Sequence, residues 1–117
     1  MRDLDVRMVV LSTNDLAASI DFYVATLGMK LKFRDGDRYA AIDSGSITIA
    51  LATEIDHPIP GEVVIGMKAA DVDTAAAVIA AAGGTIVRAP YDDAHERRAV
   101  ARDGSGNGLV IYGPLPT

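Results

Sequence analysis

Two histidines, a strand-borne lysine and a tyrosine are the side chains best suited to chemistry in this chain, which contains no cysteine. The missing thiols remove thiolate nucleophiles, disulfides and zinc–sulfur sites together, and fit a reducing cytoplasm. His95 lies in Tyr91-Asp92-Asp93-Ala94-His95-Glu96-Arg97-Arg98. A neutral imidazole there could act as a general base oriented by Asp93 or Glu96, and the same segment also reads as a charged hairpin with a solvated histidine. His57, in His57-Pro58-Ile59-Pro60-Gly61, reads as an exposed linker residue. Lys68 could bind a carboxylate or phenolate, or serve as a base or Schiff-base amine if desolvated. Tyr112 could stack on an aromatic ligand or hydrogen-bond to it. Both lie near predicted strand ends, where a polar tip can instead reach water. Ser12 and Thr48 offer hydroxyls but no adjacent base that would activate them. Asp103–Asn107 precedes a strand and so is no phosphate-cradling loop, which would open a helix.

The elements that must position these groups occur twice. Val6–Ser12 reads as a strand, and Asn14 or Asp15 can cap a helix running to about Leu27, with Leu16, Ile20, Tyr23, Val24 and Leu27 at helical spacing. Gly28 ends it as a left-handed cap. Lys30–Arg34, Arg38–Asp43 and Ile47–Thr53 follow as strands separated by Asp35-Gly36 and Ser44-Gly45 turns. The order then repeats: strand Val63–Ala69, an Ala-rich helix from Asp71 to Gly83-Gly84, and strands Thr85–Ala89, Arg97–Arg102 and Leu109–Tyr112. Asp15 to Gly28 has the spacing of Asp71 to Gly84, and Asp43 to Ala50 that of Asp103 to Val110. The expected organisation is one domain over 1–117, with βαβββ modules at 5–54 and 63–113 and a stiff connector at 55–62. The extra length of the second half falls at Tyr91–Glu96, read as a loop.

A chain of 117 residues, 50% hydrophobic with four Tyr, two Phe and no Trp, supports one largely aliphatic core. Its charge of −5 disfavours nucleic acid as a partner. Met8–Leu11 is too short an apolar run for a membrane span or a signal core.

Asp15-Leu16, Ser19-Ile20-Asp21-Phe22-Tyr23 and Leu27-Gly28-Met29-Lys30-Leu31 resemble the first-module signature of the vicinal oxygen chelate superfamily, which holds glyoxalases, extradiol dioxygenases, fosfomycin-modifying enzymes and bleomycin-resistance proteins. Arg102-Asp103-Gly104-Ser105-Gly106-Asn107 resembles its second-module turn, with Gly104 where proline is usual. The resemblance implies an α+β fold in which two βαβββ modules curl mixed sheets around a cavity, helices outside. Strand alternation then sends Val9, Leu11, Ile47, Ile49, Leu51, Val63, Ile65, Met67, Leu109 and Ile111 toward the helices, each large side chain stabilising by roughly 1.5–3 kcal/mol if fully buried. The opposite face carries Met8, Val10, Ser12, Thr48, Ala50, Ala52, Val64, Gly66, Lys68, Gly108, Val110 and Tyr112, with Tyr39 added from the third strand. Small residues there leave room for a ligand, unless a collapsed barrel or a partner's side chains fill the space.

In metal-dependent members of the superfamily, each module supplies two ligands, which fall here on Met8, Ala50, Val64 and Val110. None offers an imidazole nitrogen or carboxylate oxygen. The resemblance therefore implies a protein without metal or other cofactor. The expected function is binding of a small, largely apolar or aromatic molecule, such as antibiotic sequestration of the bleomycin-resistance type. The alternative is a metal-independent isomerase, cyclase or lyase using His95 or Lys68 as base in the same cavity. A homodimer is implied by the same resemblance.

Overall fold

A computed structural model describes residues 3–116. The elements are β1 (Leu4–Ser12), α1 (Leu16–Asp21) continuing into a π-helical turn (Phe22–Thr26), β2 (Lys30–Asp35), β3 (Tyr39–Asp43), β4 (Thr48–Ala52), β5 (Val64–Ala69), α2 (Val72–Ala81), β6 (Thr85–Asp92), β7 (Arg97–Arg102) and β8 (Gly108–Gly113). The fold is α+β, as expected. Two compact units emerge. Met8–Val64 forms one, and residues 65–116, together with residues 3–7, form the other. The connector thus belongs to the first unit. Among the described residues no helix is long and apolar enough to cross a membrane.

In the first unit the strand order is β2-β3-β4-β1, with β1 parallel to β4 and the other pairs antiparallel. In the second it is β6-β7-β8-β5, with β6–β7 and β7–β8 antiparallel. The two orders correspond strand for strand, so the repeat legible in the sequence is a repeat of topology.

Asp15 caps α1 by accepting from the Ala18 amide at 3.1 Å, as Asp71 caps α2 by accepting from Thr74 at 3.1 Å. The Thr74 backbone bond holds the Asp71 carboxyl below its ordinary range. The first helix does not stay α-helical to Leu27. The Leu27 amide bonds to the Phe22 carbonyl at 3.0 Å, the wider i→i+5 spacing, before Gly28 turns the chain at φ +78°.

The first core packs Leu16 and Ile20 against Ala40, Ile42 and Leu51, with Leu11 and Ile49 partly buried beside them. The second packs Val72, Ala75 and Ala76 of α2 against Ala69, Ala99, Ala101 and Ile111, with Leu109 partly buried. Alternation along β4 and β8 therefore runs as predicted. Around β5 it does not give burial: Val63, just before the strand, and Ile65 on it are exposed, at 62% and 39%. The alanine-faced α2 sits over Ala69 and the last three strands of its unit, and of the β5 side chains its core takes in only Ala69. The expected Tyr91–Glu96 loop is also corrected. β6 continues to Asp92 through register shifts on either side of Arg88, and only a tight turn remains, closed by the Asp93 amide on the Glu96 carbonyl at 2.8 Å. Pro90 is tolerated because β6 lies at the end of its strand order.

Candidate functional site

The second unit gathers three of the chemically suited side chains. Lys68 at the end of β5, Tyr112 near the end of β8 and His95 in the β6–β7 turn line one pocket of about 350 Å³ with Glu96, Gly113 and Pro114. The position of the turn follows from charge. Arg97 at the start of β7 donates from Nε and Nη2 to both carboxylate oxygens of Asp73, at 2.8 and 2.9 Å, and from Nη1 to Asp92 at 2.7 Å. One guanidinium therefore ties the first turn of α2 to both strands of the hairpin that carries His95. The hydrogen bond from Arg97 holds the Asp73 carboxyl below its ordinary range, and the two aspartates raise the Arg97 pKa. Arg88 lies 3.5 Å over the centre of the Tyr91 ring, adding a cation–π contact on β6.

The charge balance of this pocket is uneven. Glu96 accepts from Arg98 Nε at 2.7 Å, and Arg98 also lies 3.6 Å from Asp93, so the only carboxylate lining the pocket among the described residues is already paired. Lys68 and His95 have no hydrogen-bond or ion-pair partner among the described residues. Lys68 is exposed at its tip and Tyr112 is half-buried. The arrangement offers an ammonium and an imidazole, beside the Tyr112 ring, to whatever enters.

The remaining predicted lining residues lie elsewhere. Val10, Ala50, Ala52, Val64 and Val110 are buried at 5% exposure or less, and Gly66 is buried too. They line neither this pocket nor a second one described below. Met8, Thr48 and Tyr39 are half-buried. The Thr48 hydroxyl accepts from Lys32 Nζ at 3.0 Å, and Tyr39 packs its ring 5.7 Å from that of Phe33. The four positions that match the superfamily's metal ligands carry a thioether at Met8 and hydrocarbon at Ala50, Val64 and Val110. This donor set does not fit a divalent ion. Among the described residues, no group of three His, Asp or Glu side chains converges elsewhere as a metal site.

His57 corrects a prediction outright. It is no exposed linker residue but is 6% exposed, with Nδ1 accepting from the Ile59 amide at 2.9 Å. The connector folds over its own histidine, so the two prolines shape a turn rather than a spacer. Asp103–Asn107 is structural, as read. Asp103 accepts from the Ser105 and Asn107 amides at 2.9 Å and from Asn107 Nδ2 at 3.0 Å. These bonds, led by the Asn107 side chain, hold its carboxyl below the usual range.

A second pocket, of about 660 Å³, lies in the first unit and is lined by Ser12, Thr13, Asn14, Ser19, Glu54, Pro60 and Gly61. Apart from Ser12, none of these residues was expected to line a cavity, although the repeat held a signal. Ser12 and Lys68 occupy equivalent places after Met8 and Val64, and Glu54 and Pro114 equivalent places after Ala50 and Val110.

Residues 6–111 match the sequence profile of the Glyoxalase/Bleomycin resistance protein/Dioxygenase superfamily. An uncharacterized protein of Mycolicibacterium smegmatis is 64% identical over 115 residues, covering 98% of each chain. A superfamily member from Vibrio splendidus shares the fold with a TM-score of 0.74 at 17% identity, over 94% of this chain and 98% of that one. So does methylmalonyl-CoA epimerase from Mycobacterium tuberculosis, with a TM-score of 0.69 at 19% identity, over 95% and 88%.

Proposed function

Since the chain belongs to the Glyoxalase/Bleomycin resistance protein/Dioxygenase superfamily, we propose that it binds a small aromatic anion, without a metal, in the pocket of Lys68, His95 and Tyr112. The observation that carries this reading is the unpaired Lys68 ammonium in a pocket whose one carboxylate is already neutralised by Arg98. An anion satisfies that ammonium, and the Tyr112 ring and Pro114 offer apolar surface to an aromatic body. A volume of about 350 Å³ suits a ligand of one or two rings. With Val10, Ala50, Val64 and Val110 buried, the reading rests on the side chains at the strand ends.

Benzoate, salicylate and phenylpyruvate should raise the melting temperature, whereas neutral benzyl alcohol should not. Lys68→Ala should weaken salicylate by about tenfold in calorimetry, the size of a charge-assisted hydrogen bond in a half-open site. A chelator should leave the affinity unchanged. Silence across the anions, or loss of binding on chelation, would sink the proposal.

The presence of His95 in the same pocket favours a second reading, proton transfer by a metal-independent isomerase, cyclase or lyase. In heavy water the protein should then speed deuterium incorporation into phenylpyruvate above the buffer rate. His95→Gln should abolish that acceleration while retaining binding, and Lys68→Ala should lose both. Wild-type protein with no acceleration leaves the binding role alone.

A further inference from the structure

The pocket of the first unit carries a different chemistry. Its walls come from the end of β1, the start of α1 and the connector. Ser12 clamps them together, its Oγ donating to the Glu62 carbonyl at 3.0 Å and accepting from the Gly61 amide at 2.9 Å. Thr13 and Ser19 share a hydroxyl–hydroxyl bond of 2.6 Å, and Thr13 Oγ1 also accepts from the Asp15 amide at 3.1 Å. These bonds hold the Ser12, Thr13 and Ser19 side chains in place and leave one hydroxyl hydrogen of the Thr13–Ser19 pair over. The Asn14 amide and the Glu54 carboxylate are exposed, and neither has a hydrogen-bond or ion-pair partner among the described residues.

Among the described residues no lysine or arginine lines this pocket. Arg38, just before β3, is paired through two nitrogens with Asp56, and that carboxylate raises its pKa. Glu54 is thus the one formal charge in the pocket, in a chain whose net charge is −5. An anion would meet an unscreened carboxylate, with neutral donors alone, the Asn14 amide and the one hydroxyl hydrogen left by the Thr13–Ser19 pair, to offset it. A ligand rich in N–H donors meets an acceptor at Glu54, another at the Asn14 carbonyl, and rigid walls between them.

We infer that the pocket of Ser12, Asn14, Glu54 and Gly61 is a second ligand site, one that takes a small organic cation of the primary-ammonium class. It is independent of the anion pocket proposed above, because it lies in the other unit and shares no residue with it. The repeat has diverged in charge at matching positions: Lys68 stands in one module where Ser12 stands in the other, and Glu54 where Pro114 stands.

The test titrates ¹⁵N-labelled full-length protein in phosphate buffer with n-butylammonium, n-butanol and butyrate, read by amide chemical shifts. Butylammonium should give saturable shifts at Ser12, Asn14, Glu54 and Gly61, and neither other probe should. Glu54→Gln should weaken binding about fivefold, the size expected for a partly solvated ion pair. Lys68→Ala should leave it unchanged, which separates failure here from failure of the anion pocket. Equal shifts with n-butanol, saturation at other residues, unaltered affinity in Glu54→Gln, or no saturation at all would each overturn the inference.

Discussion

Replacing His57 with alanine should destabilise the protein by about 2–4 kcal/mol in denaturant unfolding, since it deletes a buried ring and strands the Ile59 amide. The acceptor role at Nδ1 places the ring proton on Nε2, which is buried and has no hydrogen-bond partner. Protonating the ring would set a second N–H against the Ile59 amide. Burial accordingly lowers the His57 pKa from its ordinary 6.5, although the backbone of Val10 and Glu62 and the Glu62 charge pull the other way. Because the folded value lies below the unfolded one, the unfolded chain binds the proton first as the pH falls. The stabilisation from neutral His57 is complete above about pH 6.5 and is lost as the pH drops through the folded value. Unfolding free energies measured from about pH 7 to about pH 5 should decline in the wild type. His57→Asn, which offers an acceptor to Ile59 but does not titrate, should flatten that decline. An equal slope in both proteins refutes the assignment.

Gly113→Ala should cost about 2–4 kcal/mol and abolish anion binding together. A Cβ on Gly113 would sit 2.2 Å from the Ala69 carbonyl oxygen and 3.2 Å from Val72 Cγ2. The first contact is with backbone, which cannot rotate aside as a side chain can, so the ends of β5 and β8 must part. Those ends carry Lys68 and Tyr112. Gly104→Ala is the control: it has open space, no left-handed backbone, and should be nearly neutral in both stability and affinity. If Gly113→Ala retained wild-type binding, the pocket would not depend on the closeness of these strands.

The sequence was most legible where a backbone signal and a packing signal coincided. Asp15 and Asp71 announced helix starts, Gly28 an end, and Ile49, Leu51 and Ile111 fell on the helix side because alternation leaves no other choice. It was least legible where burial depended on a neighbour's size. Val63 and Ile65 look like core but are exposed, since α2 meets its sheet through alanines over Ala69, Ala99 and Ala101. His57 looks like linker but is buried, since nothing local shows that Pro58 and Pro60 curl the chain around it. Strand parity gives Lys68 and Tyr112 matching faces of their strands, whereas nothing local gives the position of His95, which depends on an Arg97 that reaches two aspartates, one of them on another element.

The division of β1 between the units bears on the order in which the chain can fold during synthesis. Everything in the Met8–Val64 unit is present once Val64 has been made. The other unit draws on Leu4, which packs against the core of Ala69, Val72 and Ile111. Leu4 must therefore wait for residues that follow the whole first unit. Closing so long a loop is slow relative to local pairing. The second unit, which carries Lys68, His95 and Tyr112, should become structured after the first.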